Sequence, residues 1–257
     1  MQDKLRQRQQ KSVVASSKRQ VLCVPESTWP RIDVKMLGMK QVSVDKKTGE
    51  RIFSFIKSAD YHSLQKEFHA VQATMDIQQL ANFLSRNFYH HESLIFIADY
   101  LRLQGKFTEA AKFLERCLFA FETAFAYDFQ FVPAVDSTSN RHATEEFQPQ
   151  MRLDFHSKNQ EPLNRVLAEC LIKYIDILGR KGCNRTALEF CKFLLALDPL
   201  ADPYGVLLRI DYYAIRAREF EYFIDFTKQL AAETYQETNK IVSVLVLPNL
   251  LMTTALA

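Results

Sequence analysis

The chain has 257 residues, 47% of them hydrophobic and 25% charged, a composition that suits a soluble globular protein. It holds only 6 glycines, and Gly179 and Gly182 are the one close pair, so no dinucleotide-binding G-x-G-x-x-G, no Walker-type phosphate loop and no G-x-S-x-G nucleophile elbow can be drawn from it. The net charge of +3 conceals an asymmetry: residues 1–57 carry 13 Lys/Arg against 5 Asp/Glu, a basic leader on a mildly acidic remainder.

Residues 1–20 are poor in apolar side chains and lack the apolar core of a secretory signal. A disordered basic arm is expected there, with Lys4, Arg6, Arg8, Lys11, Lys18 and Arg19 placed to touch phosphates of RNA or an acidic protein face. A passive, solvated leader accounts for the charge equally well. Residues 21–57 alternate apolar and polar side chains in Gln41–Val44 and Arg51–Ile56 around a Lys47-Thr48-Gly49 turn, so one or two strands or extended segments are expected, packed on a helical body. The only tryptophan stands in Ser27-Thr28-Trp29-Pro30. A lone Trp in a Pro-bounded extended segment is read as a structural anchor in a groove of the chain's own body.

From Ser58 onward the apolar period becomes helical. Leu64, Phe68, Val71 and Met75 form one predicted face, and Asp76 caps a second run through Ile77, Leu80, Phe83, Leu84 and Phe88. Leu94, Ile97, Ala98 and Leu101 make the next face, Gly105 breaks it, and Phe107, Ala110, Leu114, Cys117 and Leu118 follow. The same spacing returns at Gly182: Ala187 lies five residues on and Cys191 nine on, with Leu171, Tyr174, Ile175 and Leu178 before the turn. A weaker copy is centred on Ala217, 35 residues after Gly182, close to one tetratricopeptide period. Small residues such as Ala98, Ala110 and Ala187 belong where paired helices cross most closely. Residues 128–162, rich in Ser, Thr, Asn, Gln and Pro, are expected as a loop insertion, with one amphipathic pattern at Met151–Phe155. Ile241–Ala257 is apolar but broken by Pro248 and Asn249. It is read as one helix or two half-helices awaiting a partner rather than a membrane span, in a chain that continues beyond residue 257.

Chemistry-bearing patterns are sparse. Five cysteines at scattered spacing, with no C-x-x-C, read as reduced and mostly buried thiols, although Cys183 and Cys191 lie eight apart and can share a helix face. His62 and His69 are seven apart, and His90-His91-Glu92 has no second His at zincin spacing, so no metal, no cofactor, no small-molecule substrate and no enzymatic activity are expected. The surface remains: Arg180, Lys181 and Arg185 at one turn, and Arg209, Arg216 and Arg218 around the last hairpin. These serve either to grip an acidic partner or to pair with neighbouring repeats.

Five segments occur in order from about residue 21 to the end: Ser27-Thr28-Trp29-Pro30, Tyr89-His90-His91-Glu92-Ser93-Leu94, Arg152-Leu153-Asp154-Phe155, the Lys181–Lys192 block around Gly182-Cys183-Asn184-Arg185-Thr186-Ala187-Leu188-Glu189, and Leu207–Asp211 with Arg216-Ala217-Arg218. Through them the chain resembles the transcription-factor-twenty-five family, also called nuclear localised protein one, whose members act as a subunit of the ribosome quality control complex. The Ser137–Gln150 insertion departs from the family pattern. The resemblance implies a helical-repeat scaffold that binds the large ribosomal subunit carrying a stalled nascent chain. There it assists the ubiquitin ligase listerin in building degradative ubiquitin chains, with ribosomal RNA as a possible contact of the arm. A cytosolic, ribosome-associated location is implied, with a nuclear one and a transcriptional regulator acting through protein contacts as the alternative. The resemblance carries over no catalytic residue.

The combined expectation is an all-α chain of tetratricopeptide-like stacked hairpins, an α-solenoid, over 58–257, preceded by an extended segment at 21–57 and a basic arm at 1–20.

Overall fold

The computed structural model describes residues 21–33, 35–46, 49–129, 151–155, 163–199, 201–237 and 247–256, with side chains to residue 230 in the helix that ends at Glu237. The arm at 1–20 and residues 130–150 and 156–162 of the expected insertion therefore lie outside the described residues. The chain divides into two compact units, Met1–Cys170 and Leu171–Ala257.

The first unit opens with an extended strap, followed by β1 (Leu37–Val44) and β2 (Arg51–Lys57). The pair is antiparallel, with a bulge between Gln41 and Ser43. The Asp45 amide donates to the Glu50 carbonyl at 2.8 Å and closes the connection, and Gly49 takes φ 73°. Four helices follow: α1 (Ala59–Ala73), α2 (Ile77–Arg86), α3 (His91–Leu103) and α4 (Phe107–Ala124). Ser58 and Asp76 cap α1 and α2 with side-chain oxygens, as expected for Asp76. On α4 the expected face is the observed one: Ala110, Leu114, Cys117 and Leu118 are all wholly buried. On α1 it is so only in part. Tyr61, Gln65 and Phe68 point inward, while Met75 is exposed and left-handed at φ 53°.

The expected loop insertion at 128–162 contains a strand. Met151–Leu153 (β3) pairs in parallel with Arg51–Phe53 on the far side of β2 from β1, and the Asp154 amide continues the ladder to the Phe53 carbonyl at 3.0 Å. Leu153 and Phe155 are buried, and Arg152 pairs with Glu50 at 2.7 Å in a mostly buried bridge. Asn164, near the start of α5 (Leu163–Arg180), is itself buried. Its Oδ1 accepts the Phe55 amide at 3.1 Å and its Nδ2 donates to the Asp154 carbonyl, which fixes that helix to both strands. The chain is thus mostly helical, with nine α-helices among the described residues and a three-stranded sheet in addition.

The second unit holds the rest of α5, then α6 (Asn184–Leu197), a 3₁₀ turn (Val206–Leu208), α7 (Ile210–Ala217), α8 (Phe220–Glu237) and α9 (Pro248–Leu256). Pro248 opens α9 rather than interrupting a helix, because its missing N–H costs nothing in a first turn. No described helix is long and apolar enough to cross a membrane. At Gly179 the backbone of α5 lies so close to α7 that an added Cβ would sit 2.8 Å from the Tyr213 ring.

Three turns share one geometry. Gly105, Gly182 and Arg218 are all left-handed, at φ 77°, 78° and 61°. In each the next residue's N–H reaches five residues back: Lys106 to Leu101, Cys183 to Leu178 and Glu219 to Ala214, at 2.9, 2.9 and 3.0 Å. This is the Schellman closure, which satisfies carbonyls left open at a helix end. The third turn is thus centred on Arg218, one residue beyond the expected Ala217. Five residues after each turn comes a buried side chain: Ala110, Ala187 and Phe223.

Candidate partner-binding surfaces

The six basic residues expected at the turns fall into distinct settings within the second unit. Arg180 ends α5, and Lys181 and Arg185 flank the Gly182 turn, all three exposed. Arg185 pairs with Glu219 at 3.1 Å, which brings the Gly182 turn beside the Arg218 turn. Arg209 precedes α7 and pairs with Asp176 of α5 at 2.8 Å. Arg216 lies over the Tyr212 ring at 5.4 Å, and Arg218 is exposed in its left-handed turn. Arg209 and Arg218 bracket α7 and stand roughly 13 Å apart along its axis, so the second cluster is split between the two ends of that helix. Lys181, Arg216 and Arg218 are exposed and make no ion pair with another described residue.

In the first unit Trp29 is half-buried with its ring 5.6 Å from that of Phe119. The strap around it is pinned from both sides. The Glu122 carboxylate accepts the amides of Val21, Leu22 and Cys23, the latter two at 3.0 and 3.3 Å, and Lys112 pairs with Glu26 at 3.3 Å. The Tyr89 hydroxyl donates to the Pro30 carbonyl. Burial raises the Glu122 pKa, and the three amide donors hold it down in part. Trp29 thus packs on Phe119 and walls a groove of about 470 Å³ with Phe88, Leu101 and Phe113.

His90 and His91 are both buried and form part of the core. His90 caps α3: its Nδ1 accepts the Ser93 amide at 3.3 Å, which leaves Nε2–H to donate to Gln65 Oε1, also at 3.3 Å. Gln65 in turn donates to Glu92 at 2.6 Å. The Tyr61 hydroxyl lies 3.0 Å from His91 Nδ1 and accepts the His91 amide at 3.4 Å. Burial, with Lys57 adding to it, lowers both imidazoles to about 3, so both rings are neutral. Sequence spacing does not show this network, because Tyr61 and Gln65 lie about one helical hairpin away from the histidines.

Cys23, Cys117, Cys170 and Cys191 are buried free thiols, and Cys183 is exposed ahead of α6. Cys183 and Cys191 therefore do not share a face. Burial pushes the Cys23 and Cys191 thiols up to about 12. Among the described residues no three His, Cys, Asp or Glu side chains gather as a metal cluster.

The family model described as transcriptional repressor TCF25 matches residues 53–257. The ribosome quality control complex subunit TCF25 of Homo sapiens is 34% identical over 203 residues, 79% of this chain and 27% of that protein. Ribosome quality control complex subunit 1 of Schizosaccharomyces pombe is 32% identical over 240 residues, 93% of this chain and 32% of that protein. A probable transcription factor claV of Ampulloclitocybe clavipes is 27% identical over 87% of this chain and 26% of its own length. This chain thus spans about a third or less of the curated relatives it matches. No solved structure matches it.

Proposed function

The chain belongs to the TCF25 family, and on that premise we propose that it is a non-enzymatic adaptor of ribosome quality control in the cytosol. It binds the large ribosomal subunit carrying a stalled nascent chain and assists the ubiquitin ligase listerin in building degradative ubiquitin chains. The observation that carries this reading is that relatives from fungi and mammals are named as subunits of that complex. An adaptor needs rigid, outward-facing side chains rather than a reactive centre. The hairpins closed by the turns at Gly105, Gly182 and Arg218 are proposed as tetratricopeptide-like units that supply such a frame. By holding ligase and ubiquitin together, the adaptor raises their local concentration and sets which ubiquitin amine faces the loaded enzyme.

Sucrose-gradient sedimentation tests the reading, with the endogenous protein expected to travel with large subunits. Removing residues 1–20 is expected to lower the log–log salt slope of that binding by about 0.7–0.9 for each phosphate that the arm neutralises. An unchanged slope would make the arm a passive leader. The second reading, a nuclear regulator acting through protein contacts, is favoured by the description of the family as a transcriptional repressor and by the name of the claV relative. Sedimentation with chromatin and not with large subunits would select it.

A further inference from the structure

The groove beside Trp29 holds polar groups that no other described residue uses. Arg116 stands in its wall with its guanidinium over two aromatic rings, 4.9 Å from the centre of Phe113 and 5.8 Å from that of Phe88. Its Nε is buried and makes no hydrogen bond, and no carboxylate pairs with it among the described residues. Burial lowers its pKa, so the fold carries this cation at a cost that ring faces offset only in part. The other cation in the groove is already matched, since Lys112 pairs with Glu26. The Trp29 indole N–H and the Tyr100 hydroxyl line the same groove and are likewise unused among the described residues. Between these polar groups the floor is apolar: Phe88, Leu101 and Phe113.

We propose that this groove is a docking site for an extended acidic–apolar peptide segment of a partner protein, with its apolar side chains on Phe88, Leu101 and Phe113 and one carboxylate on Arg116. Charge fixes both the class of occupant and its direction. A carboxylate on Arg116 completes a cation that the described residues leave without a counter-ion, and in a partly dry site such a planar, two-toothed pair is strong. Glu109 lines the groove two turns earlier on α4, about 10 Å away along the helix, and repels a second acid there. With Glu109 and Glu26 nearby, a nucleic-acid backbone with its closely spaced phosphates fits poorly. A segment with a single acid next to bulky apolar residues fits well.

The test uses the whole chain, with Trp29, its only tryptophan, as the reporter. An array of synthetic acidic–apolar peptides is titrated alongside counterparts carrying Asn for Asp, and a single-stranded oligouridylate serves as the nucleic-acid probe. The expected result is a shift of Trp29 emission by one or more Asp peptides, with affinity at least about tenfold above the Asn counterpart. Arg116→Gln is expected to abolish that preference and Arg116→Lys to keep part of it. Tyr100→Phe, which keeps the ring, is expected to weaken Asp-peptide binding and so reads the site even if Arg116→Gln folds poorly. Equal affinity for Asp and Asn peptides, an unmoved Trp29 emission across the array, or a preference for oligouridylate would overturn the proposal. So would self-association of the chain that alters Trp29 emission without peptide. The readout needs no ribosome, so its failure is separable from failure of the adaptor reading.

Discussion

Arg218 sits in a left-handed turn whose two counterparts carry glycine, although a side chain there costs free energy. Replacing it with glycine removes the clash while leaving the Schellman closure to the Ala214 carbonyl in place. Arg218→Gly is therefore expected to raise stability by about 1 kcal/mol, read as a higher Tm, whereas Gly182→Ala at the equivalent position is expected to lower it. The reverse order would mean that the Arg218 side chain makes a stabilising contact that outweighs its backbone strain. The buried histidines yield a second expectation at this scale. His90 and His91 titrate near 3 in the folded chain but near their ordinary value of 6.5 when unfolded. Below pH 6.5 the unfolded chain binds more protons than the folded one, so stability is level at neutral pH and falls as pH drops. The slope is about 1.4 kcal/mol per pH unit for each histidine. His91→Gln is expected to flatten the decline between about pH 6.5 and 4; an unchanged slope would place the acid sensitivity elsewhere. Spacing excluded a zinc motif at His90-His91-Glu92 without revealing what the pair does. A cap and a polar knot in the core depend on Tyr61 and Gln65, and the helical period counts Gln65 as solvent-facing.

Element by element, legibility in the sequence follows the range of the interaction that makes each element. The faces of α3, α4, α5 and α6 were readable because their apolar residues recur at helical steps within one segment, and the turn glycines at 105 and 182 mark their ends. The inner face of α1 was read only in part: Phe68 packs on His90 as an apolar face requires, but the buried Tyr61 and Gln65 beside it fall outside the expected stripe. At Met151–Leu153 the amphipathic pattern was legible but the strand pairing was not. Its partner Arg51–Phe53 lies about 100 residues earlier in the chain, and no local pattern links the two. Asn164 tells the same story, since its buried amide serves backbone atoms of two strands that no local pattern links to it. Close packing of α5 against α7 gives the test at this scale. Gly179→Ala improves helix propensity by about 1 kcal/mol yet drives a methyl into the buried Tyr213 ring. Net destabilisation of roughly 1–2 kcal/mol is expected, and Ala187→Phe, at a wholly buried position, is expected to cost about 1–3 kcal/mol. A Gly179→Ala chain that melts higher than the parent would show that Tyr213 yields at little cost.

For the molecule as a whole, the question is which basic residues serve the fold and which are left for partners. Arg185 and Arg209 are already engaged, with Glu219 and Asp176, and both pairs are partly exposed, so each is worth about 1 kcal/mol or less. Reversing either residue sets like charges against each other inside the second unit and is expected to lower Tm whatever happens to binding. Lys181, Arg216 and Arg218 differ in that they are exposed and make no ion pair with another described residue, so charge reversal there breaks none. The triple reversal of Lys181, Arg216 and Arg218 to Glu is thus expected to keep the parent Tm within a few degrees while weakening partner binding and altering the ubiquitin chains formed. A reconstituted ubiquitylation assay on stalled large subunits, with chain linkages resolved by mass spectrometry, reads the second effect, and thermal melting reads the first. A stable triple variant whose chain output matches the parent would remove these turns from the binding surface. Attention would then pass to the Arg116 groove, whose peptide binding the triple reversal is expected to leave untouched.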